Sequence, residues 1–258
     1  MVISSKTNKY IKEVRELNTK AKARKNSGLF VAEGQRLCAE IPAEDLVRVF
    51  VTEDYRGPVP GNADGQQIFT VPKELMAYIS DTMTSQGILC VVKQRPRQEL
   101  TGDLFIILDT LQDPGNMGTI LRTAEAAGVN GILMNSGSVD PYAPKVVRSA
   151  MGAVFRMPFM ITEDLPGEIM RLKNRGVRLY AAHLKGTGAH YEESFLGPSA
   201  FMIGNEGNGL SDETAALADS YLRIPMKGCT ESLNAAVAAS ILMYEALRQR
   251  ETGGEKND

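Results

Sequence analysis

Two hydrophobic patterns divide the chain. Up to about residue 97 the apolar runs are short and irregularly spaced. Leu29-Phe30-Val31 reads as a short strand, and Leu46 to Val51 alternates with the period of two that a half-buried strand needs. Ile88-Leu89-Cys90-Val91-Val92 is a longer apolar run. A basic helix is predicted over about 6–25, a helix from Glu33 to Ile41 stopped at Pro42, and a helix opening at Pro72 and ending near Ser80. Gly57 to Gly65, with two prolines and three glycines, reads as a loop.

Beyond residue 104 the alternation is regular. Strands are predicted at 104–108, 131–134, 157–161, 177–182, 200–203 and 221–224. Between and after them fall helices at 116–127, 144–151, 165–175, 211–218 and 232–249, the first ended by Gly128 and the second opened by Pro144. Such alternation implies an α/β fold with a mostly parallel sheet covered on both faces. The polar stretch 94–102 carries Pro and Gly between two apolar runs, which divides the chain into domains 1–97 and 98–258.

Composition changes this picture little. No apolar stretch reaches the roughly 18 residues of a membrane span. The opening Met1-Val2-Ile3-Ser4-Ser5-Lys6 lacks the apolar core of a secretory leader. Cys38, Cys90 and Cys229 lack metal spacing, and only His183 and His190 accompany them, so no metal is expected and a cytoplasmic location is. Charge is more informative. The net charge is −2, yet residues 1–97 hold 15 Lys+Arg against 11 Asp+Glu, and residues 1–26 hold 8 basic against 2 acidic. A basic arm on an acidic chain suits a polyanion, although a solvated helix face has the same composition.

Three runs in the second half carry candidate chemistry. Asp113-Pro114-Gly115-Asn116-Met117-Gly118-Thr119-Ile120-Leu121-Arg122 leaves a buried strand and enters a helix. Asn116 can cap that helix, its free N–H groups suit a phosphate, and Arg122 rises from nearly the same face. An ordinary capped helix with a surface arginine has the same pattern. Gly204-Asn205-Glu206-Gly207-Asn208-Gly209 lets the backbone turn sharply and approach a ligand, with Glu206 its one charge. A turn whose Glu206 caps the next helix is the alternative. Ile224-Pro225-Met226 ends a strand, and Ser232-Leu233-Asn234 opens the last helix, with Ser232 or Thr230 as its cap and the Asn234 amide free. Lys145 and Arg148 share a helix face and suit a phosphate backbone, or solvent.

Together the N-x-G-x-x-x-R, G-x-E-x-x-G and I-P-M…S-L-N runs resemble the three signature motifs of the SpoU/TrmH-type RNA 2′-O-ribose methyltransferases, in the SPOUT superfamily. The resemblance covers about 104–250. Phe30-Val31-Ala32-Glu33-Gly34-Gln35-Arg36 resembles the small ribosomal-protein-like α/β RNA-binding domain that often precedes it. This resemblance implies a C-terminal trefoil-knotted methyltransferase domain, a homodimer and S-adenosyl-L-methionine as cofactor. It implies that Met202, Gly204, Ile224, Met226 and Leu233 line the adenosyl pocket. Arg122 would clamp the phosphate beside the target ribose, with Asn116, Glu206, Ser232 and Asn234 positioning it and the sugar, and the final proton acceptor unassigned. Arg36, Lys145 and Arg148 would contact RNA, ribosomal RNA before tRNA, with neither membrane nor metal involved. The alternatives are a non-catalytic RNA-binding or ribosome assembly factor on the same scaffold, and a nucleotide enzyme of ordinary doubly wound type.

Overall fold

The computed structural model describes residues 1–60, 68–97, 99–183, 186 and 188–254. They separate into two compact units, Met1–Arg95 with Asp140–Phe155, and Pro96–Val139 with the chain from Arg156 onward.

The first unit begins with α1 (Lys9–Thr19), α2 (Ala21–Ser27), β1 (Leu29–Glu33) and α3 (Gln35–Ala39). Then come β2 (Leu46–Thr52), β3 (Ile68–Val71), α4 (Lys73–Ile79) and β4 (Ile88–Lys93). The sheet order is β1-β4-β2-β3, with only β2 and β3 parallel. Asn8 caps α1 by accepting from the Tyr10 amide at 2.9 Å. Its apolar stripe, Ile11, Val14 and Leu17, packs into a cluster with Phe50, Phe69 and Leu75. The single basic helix expected over 6–25 is broken at Lys20, whose backbone is extended. Beyond the break, the buried Arg24 donates to Leu17 O at 2.6 Å, capping a carbonyl of α1 that a continuous helix would have used. Strand β3 was not expected, since it is only four residues long and ends at a proline. Of the expected 57–65 loop, residues 57–60 lack regular structure and the rest lies outside the described residues.

The second unit contains β5 (Leu104–Leu108), α5 (Pro114–Ala126) and β6 (Gly131–Asn135). The chain then forms α6 (Pro144–Ala150) and α7 (Ala153–Arg156), and resumes with β7 (Phe159–Thr162), α8 (Leu165–Asn174), β8 (Arg178–Ala182) and β9 (Gly188–Ala189). It ends with β10 (Ser199–Ile203), α9 (Asp212–Ala215), β11 (Ser220–Arg223) and α10 (Ala235–Gly254). Among the described residues the sheet order is β7-β6-β5-β10-β8-β11-β9, and every pairing is parallel. Phe105, Ile107, Ala200 and Met202 sit in its core. From β5 the chain moves outward through β6 to β7, and it later returns to lay β10 on the other side of β5. That reversal brings the carboxyl ends of β5 and β10 side by side, where open α/β sheets place their ligands.

The segment 140–155, expected in the second domain, packs with the first unit instead. Arg24 Nε donates to Asp140 at 2.6 Å, Tyr142 lies 4.8 Å from Phe30 between ring centroids, and Arg148 pairs with Asp81. Sequence order could not reveal this, because partners 116 and 67 residues apart hold it. Among the described residues no helix is long and apolar enough to cross a membrane.

Candidate active site

The loop after β5 enters α5 through Asp113, whose Oδ1 accepts from the Asn116 amide at 2.8 Å. Asp113 is therefore the cap, with Pro114 in the first turn where its missing N–H costs nothing. Asn116, expected as the cap, sits one turn further in and is 7% exposed. Its side chain is free to bridge. Asn116 Nδ2 donates to Glu206 Oε1 at 2.9 Å, and Asn234 Nδ2 donates to Asn116 Oδ1 at 2.8 Å. Glu206 also accepts from the Gln112 amide at 3.0 Å and the Asp113 amide at 2.9 Å. Asn234 Oδ1 accepts from the amides of Ala236 and Val237, so it caps α10 in place of Ser232 or Thr230. One hydrogen-bonded chain, Glu206–Asn116–Asn234, thus joins all three sequence runs.

This arrangement sets the charge of Glu206. Desolvation pushes its carboxyl up, but hydrogen bonds from the Asn116 amide and the backbone of Gln112 and Asp113 outweigh it, leaving the pKa below the ordinary value of 4.5. Glu206 is an anion at neutral pH that orders the N-terminal turn of α5. It does not cap α9; Ser211 does, accepting from the Thr214 amide.

A second polar hub holds the glycine turn. Asp109 is 5% exposed at the end of β5. Its carboxylate accepts from Ser211 N at 3.0 Å, Ser211 Oγ at 2.6 Å, Thr110 Oγ1 at 3.0 Å and Asn135 Nδ2 at 3.0 Å. Burial raises its pKa, but the bonds from Ser211, Thr214 and Thr110 bring it below the usual aspartate value. Asn205 Nδ2 donates to Thr110 O, and the backbones of Asn205 and Gly209 exchange two hydrogen bonds of 2.9 Å. Gly209 has φ +72°. Gly204 is sterically obligatory, because a Cβ there would lie 2.0 Å from the Gly209 carbonyl carbon.

Beside this turn lies a cavity of about 450 Å³, within the range of small-ligand sites. Gly204, Glu206, Ile224, Met226, Ser232, Leu233 and Asn234 line it. Met202, expected to line it, does not: it is fully buried in the sheet core, and Ile203 lines the cavity instead. Consecutive strand residues face opposite sides, so only one of the pair could. Arg122 is not a lining residue; it lies exposed on α5 and, among the described residues, makes no hydrogen bond or ion pair. Helix α5 packs against α10, where Ser240 Oγ meets Thr123 Oγ1 at 3.5 Å. Of the expected RNA contacts, Arg36 on α3 and Lys145 on α6 are exposed, whereas Arg148 is engaged with Asp81.

Sequence reasoning missed Asp109, Asp113 and Asn205. Asp113 before Pro114 is a readable helix-start signal. Asp109, an acid ending a buried apolar run, is a weaker one. His183 and Arg223 also line the cavity, and no local pattern marked them.

A profile of the SpoU rRNA Methylase family matches residues 103–244, more than half of the sequence, and the chain belongs to that family. An MRM3-like substrate binding domain matches residues 8–90. The chain is 34% identical over 245 residues to the 23S rRNA (guanosine(2553)-2'-O)-methyltransferase RlmP of Bacillus subtilis, covering 94% of this chain and 97% of that protein. The crystal structure of an rRNA methyltransferase from Sinorhizobium meliloti superposes with a TM-score of 0.82 at 29% identity, covering 96% of this chain and 97% of that one. The SpoU methyltransferase AviRb from Streptomyces viridochromogenes, in complex with the cofactor AdoMet, does so with a TM-score of 0.81 at 26% identity, covering 95% and 99%.

Proposed function

We propose that this chain is an S-adenosyl-L-methionine-dependent RNA 2′-O-ribose methyltransferase acting on ribosomal RNA in the cytoplasm. The observation that carries the reading is the Glu206–Asn116–Asn234 chain, which holds three distant runs together beside the cavity. The residues fit the cofactor: Gly204 leaves only main chain at the turn, and Ile224, Met226 and Leu233 add apolar surface for an adenosine-sized group. When bound, the cofactor supplies a sulfonium-activated methyl group.

The remaining work belongs to the protein. It must aim a ribose hydroxyl in line and hold the adjacent phosphate. Arg122 does the holding, as a free guanidinium on a helix anchored by Asn116, and its charge polarises the 2′-hydroxyl. An arginine retains its proton, so Arg122 is a clamp and not a base. Glu206 is a poor base too, because three donors and a lowered pKa stabilise its anion. Glu206, Asn116 and Asn234 position Arg122, and Ser232 faces the ribose from the cavity wall. Residues 1–97, together with the segment 140–155 that packs with them, select the RNA through Arg36 and Lys145 among others, and the rest of residues 98–258 carries catalysis. The backbone around Gly204 and Met226 forms a trefoil knot, a reading supported by the match of residues 103–244 to the SpoU family.

Arg122→Ala tests the mechanism. Methyl transfer to unmodified ribosomal RNA should disappear while calorimetric S-adenosylmethionine binding persists; normal methylation by the variant would refute the assignment. The chain also acts as a homodimer, supported by Val237 and Tyr244, about half exposed and seven residues apart on one face of α10. Sedimentation should show a dimer that Tyr244→Glu converts to monomer; a monomeric wild-type protein would remove this part of the reading.

A further inference from the structure

The first unit carries a run of exposed cations on and before α1 that no acidic side chain pairs among the described residues. Both acids of residues 1–26 are already engaged, Glu13 with Arg48 and Glu16 with Lys20. Among the described residues Lys6, Lys9, Lys12 and Arg15 form no ion pair, and all four are exposed. Lys9, Lys12 and Arg15 recur every three residues, so they spread over an arc of about 120° on α1.

Aromatic rings hold three of these cations. Lys6 Nζ lies 4.7 Å from the centre of the Tyr78 ring, and the Arg15 guanidinium lies 5.0 Å from it. Lys9 Nζ lies 4.8 Å from the Tyr10 ring, whose other cation, Arg48, is 4.6 Å away. Tyr78 stands on α4, which packs against α1, and is itself 36% exposed. A free lysine or arginine loses rotamer freedom when it grips a phosphate. A ring that already restrains the cation removes part of that cost and leaves its charge uncompensated.

We propose that the α1–α4 face, with Lys6, Lys9 and Arg15 pre-arranged on Tyr78 and Tyr10, is the phosphate-backbone contact through which this unit holds RNA. The proposal rests on the RNA-methyltransferase reading and moves the principal contact away from Arg148, which Asp81 neutralises. Charge complementarity selects a polyanion. The match of residues 8–90 to a substrate binding domain favours RNA over an acidic protein.

The test uses the full chain and a fluorescein-labelled, unmodified 23S rRNA transcript, read by anisotropy across a salt series. The double variant Lys6→Gln/Arg15→Gln should bind about 10-fold more weakly, and the slope of log affinity against log salt should shrink by about 1.4 for two contacts to a single strand. Tyr78→Leu, with no change of charge, should weaken binding about 2- to 5-fold and leave the slope intact, while Tyr78→Phe keeps wild-type affinity. Wild-type affinity and slope in the double variant would overturn the proposal, as would poly-glutamate competing as well as RNA. A silent Tyr78→Leu would remove the role of the ring. Far-UV circular dichroism and a urea midpoint unchanged from wild type show that each variant is folded. If the wild-type protein neither binds nor methylates RNA, the functional reading itself fails; if it does both and the variants match it, only this surface is wrong.

Discussion

Two polar regions, one in each unit, use their charges in opposite ways. In the larger unit, Asp109 and Glu206 turn their carboxylates toward amides and hydroxyls of other loops, and each accepts several hydrogen bonds. In the smaller unit, Lys6, Lys9 and Arg15 turn outward and rest on aromatic rings. The first arrangement fixes backbone and leaves its charges little freedom. The second leaves backbone alone and keeps its charges available. A site that must position a reacting oxygen needs the former, and a surface that must hold a long polyanion needs the latter.

That contrast is sharpest at Gly204. Gly204→Ala should destabilise the protein by roughly 3 kcal/mol, since the new methyl group meets backbone that cannot swing aside. Urea unfolding checks this, and calorimetry should show S-adenosylmethionine affinity lost. Gly197→Ala, where a Cβ meets nothing within 4 Å, is the matched control. A neutral Gly204→Ala would break the claim that backbone contact defines the site.

A smaller effect is expected at Asn116. Asn116→Ala removes one of the three donors to Glu206 and the acceptor of Asn234 Nδ2, and should cost about 2 kcal/mol, together with most of the methyl transfer. On the smaller unit, the exposed Arg36→Gln should change stability by less than about 0.5 kcal/mol. Equal losses at the two positions would erase the distinction between the units.

The smallest effect is on pH dependence. Folded Asp109 and Glu206 titrate below their ordinary values of 3.8 and 4.5. The stability they contribute is therefore fully present above those values and is lost as pH falls through the lower folded ones. Asp54, on the smaller unit, is also lowered, by its hydrogen bond from Lys73, but that pair is exposed and screened by salt. Urea midpoints on the acid limb should thus retain a salt-insensitive component, and Glu206→Gln should reduce it. An acid limb abolished by salt would place the titrating groups on the surface.

Legibility followed the same division. The strand at 104–108, the helix at 165–175 and the parallel alternation were readable, because burial on a sheet imposes continuous apolar runs. Glycines and amides of the site were readable as well, since a tight turn and a bridging cap tolerate few residue types. Met202 and Ile203 were confused because either could face the cavity and only the pleat decides. The cap of α5 was misplaced from Asp113 to Asn116, because both are good caps and the choice depends on what else Asn116 can reach.

By itself the order of residues determined the layered α/β plan, the family and the three runs that meet, since each rests on local periodicity or on a residue type with few substitutes. Tertiary structure alone decided that Asp140–Phe155 joins the first unit, that Arg148 is spent on Asp81, and that Lys6 and Arg15 share one tyrosine ring. Those outcomes depend on partners tens of residues away, and a pairing at such separation leaves no periodic trace in the chain.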